Sequence, residues 1–163
     1  MKRVIIIKVM EIKDLEEELY YLYRYRKFEE IIFISKKEFL KGNREIYLLT
    51  FLAEAYCCVQ KFRKRGRILA NICLNLVNEK LKKEETEKLL FYHNIVNSIL
   101  GNFTTGLIYC NKLIDLNSNN PEYYYIRGGT NLGLKNWQKA VENYTNAIEL
   151  NANNSDYYFK RSI

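Results

Sequence analysis

Apolar residues along most of this chain recur three and four positions apart, the spacing of one helical face. Tyr124, Gly128 and Asn131 share such a face, and so, a little further on, do Ala140, Tyr144 and Ala147. Gly133 marks a stop between them and Trp137 a new start, so residues 121–154 predict two helices joined by a short turn. Asn120 stands where a cap is needed, and Pro121 suits the first helical position, where a missing N–H costs nothing. A single Pro and seven Gly leave few breakers in 163 residues, which favours helices over an all-β chain.

The same pattern occurs 34 residues earlier. Asn102/Asn136, Phe103/Trp137, Gly106/Ala140, Leu107/Val141, Ile114/Ile148, Asp115/Glu149 and Leu116/Leu150 pair by size and charge, and each stretch closes on Asn-Asn. Self-similarity at this period signals stacked repeats, each too small to bury its own apolar face. Extending the interval upstream meets Phe62 and Phe28, with seven extra residues that fit the polar stretch Asn78–Lys88. The expected units are about 12–45, 46–79, 87–120 and 121–154, with a partial fifth at 155–163. Within a unit, small residues at Gly128 and Ala140 let two helices approach, and Trp137 and Tyr144 are expected to fill the space beside them.

The order aromatic, Gly, turn, aromatic, Ala, Tyr, Ala, Asn-Asn resembles the tetratricopeptide repeat. Residues 121–154 match it nearly throughout and 87–120 well, whereas the first two units match mainly through Leu52, Ala53, Tyr56 and the phenylalanines. The family's closing Pro is replaced by Ser118 and Ala152. The resemblance implies an all-α fold, a right-handed superhelical solenoid of antiparallel helix pairs with about four repeats and a terminal helix. It also implies that the first helix of each pair lines a concave groove that binds protein.

On that basis Phe91, Tyr125 and Phe159 form one ladder of groove residues and Ile95 with Gly129 another, while Tyr20, Tyr23, Tyr47, Thr50 and Glu54 take comparable places in the earlier units. Aromatic grooves suit peptides or partner helices with apolar anchors. Members that hold chaperone tails use Lys, Asn and Arg there, but Phe91, Ile95 and Ile126 cannot grip a carboxylate; Asp156 is acidic, and only Lys160 resembles the base required. The first two units also look somewhat like the N-terminal repeats of anaphase-promoting-complex scaffold subunits, which pair with themselves.

Charge adds a second surface. Residues 1–81 hold 17 Lys/Arg against 11 Asp/Glu, and much of the excess lies at Lys61, Arg63, Lys64, Arg65 and Arg67. The run suits an anionic partner, nucleic acid or a nuclear-import receptor, or it is simply a solvated turn. Repeat spacing places it beside Arg24–Lys27, with Glu16, Glu17 and Glu18 within reach to offset it. Binding of nucleic acid by this ridge is the alternative to a protein-binding scaffold.

The remaining chemistry is sparse. Cys73 and Cys110 read as small buried hydrophobes, Cys57 and Cys58 are adjacent, and no CxxC suggests a metal or a disulfide framework. His93 is the only histidine and falls on a repeat helix, where packing explains it. No phosphate loop, catalytic triad or ligand spacing stands out, so neither an enzyme nor a cofactor is expected. The opening residues lack a cleavage site, and no apolar run approaches a membrane span, which points to cytoplasm or nucleus and away from a membrane partner. Tyr158, Phe159 and Arg161 repeat Tyr124, Tyr125 and Arg127, starting a unit that lacks its second helix. Either self-association or an array longer than these residues is expected to cover that end, and the apolar run Arg3–Met10 poses the same question at the other.

Overall fold

A computed structural model describes residues 15–42 and 45–162. The expectation for Arg3–Met10 therefore lies outside the described residues. Helices α1 (Leu15–Arg24) and α2 (Phe28–Leu40) form a first pair. The second pair is α3 (Ile46–Cys58) and α4 (Arg63–Leu81), joined through a 3-10 turn at Gln60–Phe62. Then come α5 (Glu87–Leu100) with α6 (Phe103–Leu116), α7 (Pro121–Gly133) with α8 (Trp137–Leu150), and a lone α9 (Ser155–Arg161). Each helix packs on its successor, and among the described residues there is no strand. The chain is an α-helical solenoid.

The turns between pairs explain the repeated asparagines. The Asn117 Oδ1 accepts from the Asn119 N–H and the Asn151 Oδ1 from the Asn153 N–H, each at 3.2 Å, which bends the chain out of α6 and α8. Asn120 and Asn154 then cap α7 and α9 by accepting from the N–H groups of Glu122 (3.0 Å) and Asp156 (3.1 Å). Thr86 caps α5 in the same way. Within the pairs, the left-handed turn residue is Gly101 after α5 but Lys135 after α7, at φ 60°. Gly133 serves close approach instead, since a Cβ there would lie 2.5 Å from the Phe103 ring.

Buried positions fix the register more sharply than the aromatics do. Gly66, Ala70 and Cys73 on α4 match Gly106, Cys110 and Leu113 on α6 at an interval of forty, one less than the spacing of Phe62 and Phe103. Phe62 lies in the 3-10 turn and is not the counterpart of Phe103. Part of the extra sequence lengthens α4, which has 19 residues where α6 and α8 have 14. Close approach recurs along the array: a Cβ on Gly66 would lie 2.7 Å from the Ala53 carbonyl, and one on Gly128 would lie 2.5 Å from the Tyr144 ring.

Tyr144, Ala140 and Ala147 are buried as the pattern requires, but Trp137 is 61% exposed. The comparison with Phe103 gives the reason. Phe103 is covered by Gly133 of the following pair, whereas Trp137 meets no such glycine among the described residues.

Candidate protein-binding groove

Contacts link the first helices of the pairs in series: α1 packs on α3 and α3 on α5, Asn94 of α5 donates to the Thr130 hydroxyl of α7, and Tyr125 of α7 meets Tyr157 of α9. Tyr20 on α1 touches Phe51 of α3 and Phe91 of α5, with ring centroids 6.4 and 6.1 Å apart. Tyr23 packs 5.4 Å from Phe51. Glu16 accepts from the Tyr92 hydroxyl and pairs with Lys88 at 2.7 Å, both on α5. At the other end of α1, the Arg24 guanidinium pairs with Glu122 of α7 and lies over the rings of Tyr125 (5.2 Å) and Tyr157 (5.5 Å). The helix therefore bridges from α5 to α9, using side chains up to 133 positions apart in sequence.

This placement sorts the expected groove residues. Tyr20, Tyr23, Tyr47 and Phe91 are half-buried and pack against the main core, while Ile95 is buried within it. Thr50 is wholly buried, so neither Thr50 nor Ile95 presents a surface to a partner. Tyr23, Glu54, Tyr125 and Phe159 come together around one pocket of about 470 Å³, closed by Arg24, Arg26, Asp156 and Lys160. Phe159 is 63% exposed at its rim. Burial pushes the Glu54 carboxyl up to about 7, against the pull of Arg26, and the Cys58 thiol leans on it with the sulfur 3.9 Å away. Burial likewise raises the Tyr125 phenol to about 12.

Sequence reasoning passed over Arg24 and Glu122 as groove residues. Burial pushes the Glu122 carboxyl above its ordinary range while Arg24 pulls it back, and the Tyr157 hydroxyl donates to it at 3.3 Å. A signal existed in the sequence, because Glu122 stands three residues before Tyr125 and so shares its helical face. Its partner 98 residues away carried none.

In a search of solved structures, the chain is similar to a thermophilic TPR protein from Thermus thermophilus, with 19% identity and a TM-score of 0.63 over 93% of this chain and 82% of that one. It is also similar to "MamA MSR-1 C2" (12% identity, TM-score 0.51, 90% and 80% covered) and to MamA from Desulfovibrio magneticus RS-1 (14%, 0.50, 91% and 82%). No family model matches the chain, and no curated protein matches it. The fold is that of a tetratricopeptide repeat protein. Within that fold, the side chains of α1 reach across to α5, α7 and α9.

The basic run of the chain lies elsewhere. Lys61, Arg63, Lys64, Arg65 and Arg67 occupy the 3-10 turn and the first two turns of α4, all exposed. Lys61 and Arg65 lie over the Phe62 ring at 5.4 and 5.7 Å. Arg67 donates to the Leu100 carbonyl at 3.4 Å. The expected continuation through Arg24–Lys27 is interrupted, because Arg24 turns inward to Glu122. Glu16 does not offset the run either, being engaged by Lys88 and Tyr92.

His93 is a packing residue. Its ring stacks on Tyr109 with centroids 3.6 Å apart. The hydrogen-bond pattern assigns the Nε2–H as donor to Asn78 at 3.0 Å and Nδ1 as acceptor from Asn97 at 2.8 Å. Burial, reinforced by the Lys112 charge, holds the ring down to about 4 and therefore neutral. Burial also raises the Cys73 and Cys110 thiols, to about 12 and about 11. Among the described residues no three His, Cys, Asp or Glu side chains gather as metal ligands, and no helix is long and apolar enough to cross a membrane.

Proposed function

We propose that this chain is a protein-interaction module that holds a segment of a partner in the pocket between α1, α3, α7 and α9. The observation that carries the reading is the convergence of Tyr23, Glu54, Tyr125 and Phe159 on that single pocket, with Phe159 exposed at its mouth. Aromatic walls supply contact area at little entropic cost, while Arg26, Asp156 and Lys160 supply polar contacts at the rim. Because α1 fills the α5 side of the concave face, the partner segment is short, entering beside α9. Self-association within a larger assembly, of the kind built by anaphase-promoting-complex scaffolds, is the finer form of this reading. Trp137, Val141, Leu150, Tyr158 and Phe159 support it as exposed apolar residues of the last helices.

Selection of a random peptide library on the full chain tests the pocket. The selected peptides should lose at least tenfold in affinity against Phe159→Ser and Tyr125→Ala and bind Lys64→Glu unchanged. Peptides that ignore both aromatic substitutions would refute this site. The alternative, nucleic-acid binding, is supported by the exposure of the five basic side chains of Lys61–Arg67. Its signature is RNA binding that falls steeply with salt and disappears when these charges are reversed.

A further inference from the structure

A second surface lies away from the concave pocket, between α2 and α4, the second helices of the first two pairs. Leu52, Tyr56 and Leu69 floor an apolar slot of about 430 Å³ there, and Leu40, Ile68 and Ile72 form its walls. The wall residues are 87%, 64% and 49% exposed. Ile68, Ile72 and Leu76 follow one another at intervals of four, so the stripe runs along roughly 12 Å of α4. Isolated exposed apolar residues are ordinary, but a continuous stripe facing a second apolar wall marks a binding surface. Its apolar lining and its run along α4 suit a helix laid into a groove.

The charges around the slot decide what that helix is. Lys36 stands on one wall, 6.0 Å above the Tyr56 ring, and Arg65 on the other. Lys61, Arg63 and Lys64 continue the positive field beyond Arg65. Among the described residues none of these five forms an ion pair, while the nearby acids Glu30 and Glu38 face Lys27 and Lys41. A second copy docking through the same slot would set basic walls against basic walls. The chain's own first 14 residues carry Lys2, Arg3, Lys8 and Lys13 against Glu11 and Asp14, a net positive charge that does not complement a basic slot.

We propose that the α2–α4 slot docks an amphipathic helix of a partner protein, with apolar residues at three-to-four spacing and Asp or Glu clustered at the end over Arg65. The apolar slot holds the helix, and the basic run fixes its direction and speeds encounter. This gives the Lys61–Arg67 run a role that does not depend on the concave pocket.

A fluorescein-labelled 18-residue helical peptide with Leu at that spacing and Glu elsewhere serves as the probe. Its Lys-for-Glu counterpart and a scrambled Glu peptide are controls, all read by anisotropy against the full chain. The Glu peptide should bind saturably and weaken with salt, while the two controls fail. The double variant Ile68→Ser, Ile72→Ser should lose at least tenfold, as should Lys61→Glu with Arg65→Glu, whereas Phe159→Ser should bind normally. Both double variants alter exposed side chains, and unchanged circular dichroism would show that the fold is retained. Absence of binding at low salt would overturn the proposal, as would equal binding of the scrambled peptide. A dimer that the Ile68→Ser, Ile72→Ser variant breaks and the peptide cannot displace would assign the slot to a second copy and refute it. Displacement of the peptide by single-stranded RNA that itself ignores the two serines would assign the surface to nucleic acid and refute it equally.

Discussion

Replacing Arg24 by Met tests whether α1 is docked across the concave face. Met keeps the apolar stem and removes the cation, leaving Glu122 with one carboxylate oxygen that has no hydrogen-bond partner and another that accepts from Tyr157. Removing one partner from a buried ion pair costs about 3–5 kcal/mol. The side chains of Arg24 and Glu122 retain 13% and 10% exposure, which favours the lower end. A second limit is chemical: Glu122 can escape by taking a proton, and protonating an ordinary carboxyl at pH 7 costs about 3.5 kcal/mol. The loss is therefore expected near 3 kcal/mol at pH 7. The double variant Arg24→Met, Glu122→Gln should recover most of it, because no charge is then left buried.

Urea denaturation of the wild type, both single variants and the double variant yields the coupling energy directly. The single variant Arg24→Met carries a further signature. Its Glu122 has a folded-state pKa above the unfolded value, so stability lost at pH 7 should return as pH falls toward 5. Repeat arrays can release one helix locally, and hydrogen exchange over residues 15–24 separates that outcome from global unfolding. A cost below about 1 kcal/mol, with no coupling and no change in exchange of α1, would show that α1 does not bridge the groove.

Gly66→Ala should cost about 2 kcal/mol in the same assay, because its Cβ meets backbone atoms of α3 that cannot turn aside. Trp137→Ala should change stability by less than about 1 kcal/mol, while Phe103→Ala costs about 2 kcal/mol; the reverse order would contradict the exposure of Trp137. Lys135→Gly should stabilise by about 0.5 kcal/mol, the relief of a left-handed residue exceeding the added entropy of the unfolded chain. His93 is held below its unfolded pKa, so its contribution is complete above pH 6.5 and disappears as pH falls toward 4. It amounts to about 2 kcal/mol once screening of the exposed Lys112 is allowed for, and His93→Gln should flatten that part of the stability profile. Glu54 is shifted the other way, so Glu54→Gln should stabilise above pH 7 and leave the remaining profile steeper in acid.

The parts of the fold that sequence alone disclosed are those governed by short-range rules. Asn117, Asn120, Asn151 and Asn154 fix their turns and caps through hydrogen bonds spanning two residues, so their spacing in sequence is their geometry. Gly106, Ala140 and Tyr144 are likewise positioned by helical periodicity within one pair. Phe62 misled because an aromatic ring can be met from several directions, whereas a Gly against a backbone, as at Gly66, fits in one register. Trp137 misled for a different reason. Its motif position is right, but burial there is conferred by the next pair's glycine and not by its own unit.

The groove was legible in composition but not in occupancy. Tyr125 and Phe159 follow the 34-residue ladder into the pocket, yet nothing local tells that Tyr20 will reach Phe91 or that Arg24 will reach Glu122. Those contacts join residues 71 and 98 positions apart, beyond the reach of any local rule. The result is a division of surfaces within one small array. Side chains of α1 pack against α5 and α7, and a pocket remains at the α9 end. A separate set of apolar and cationic groups that the core does not use stands between α2 and α4. A partner that engages the slot leaves the α1 strap undisturbed, whereas one that enters deep into the groove must first break Arg24 from Glu122. The coupling of that pair is therefore one part of the free energy by which the groove resists being opened, beside the contacts that Tyr20 and Glu16 make with α5.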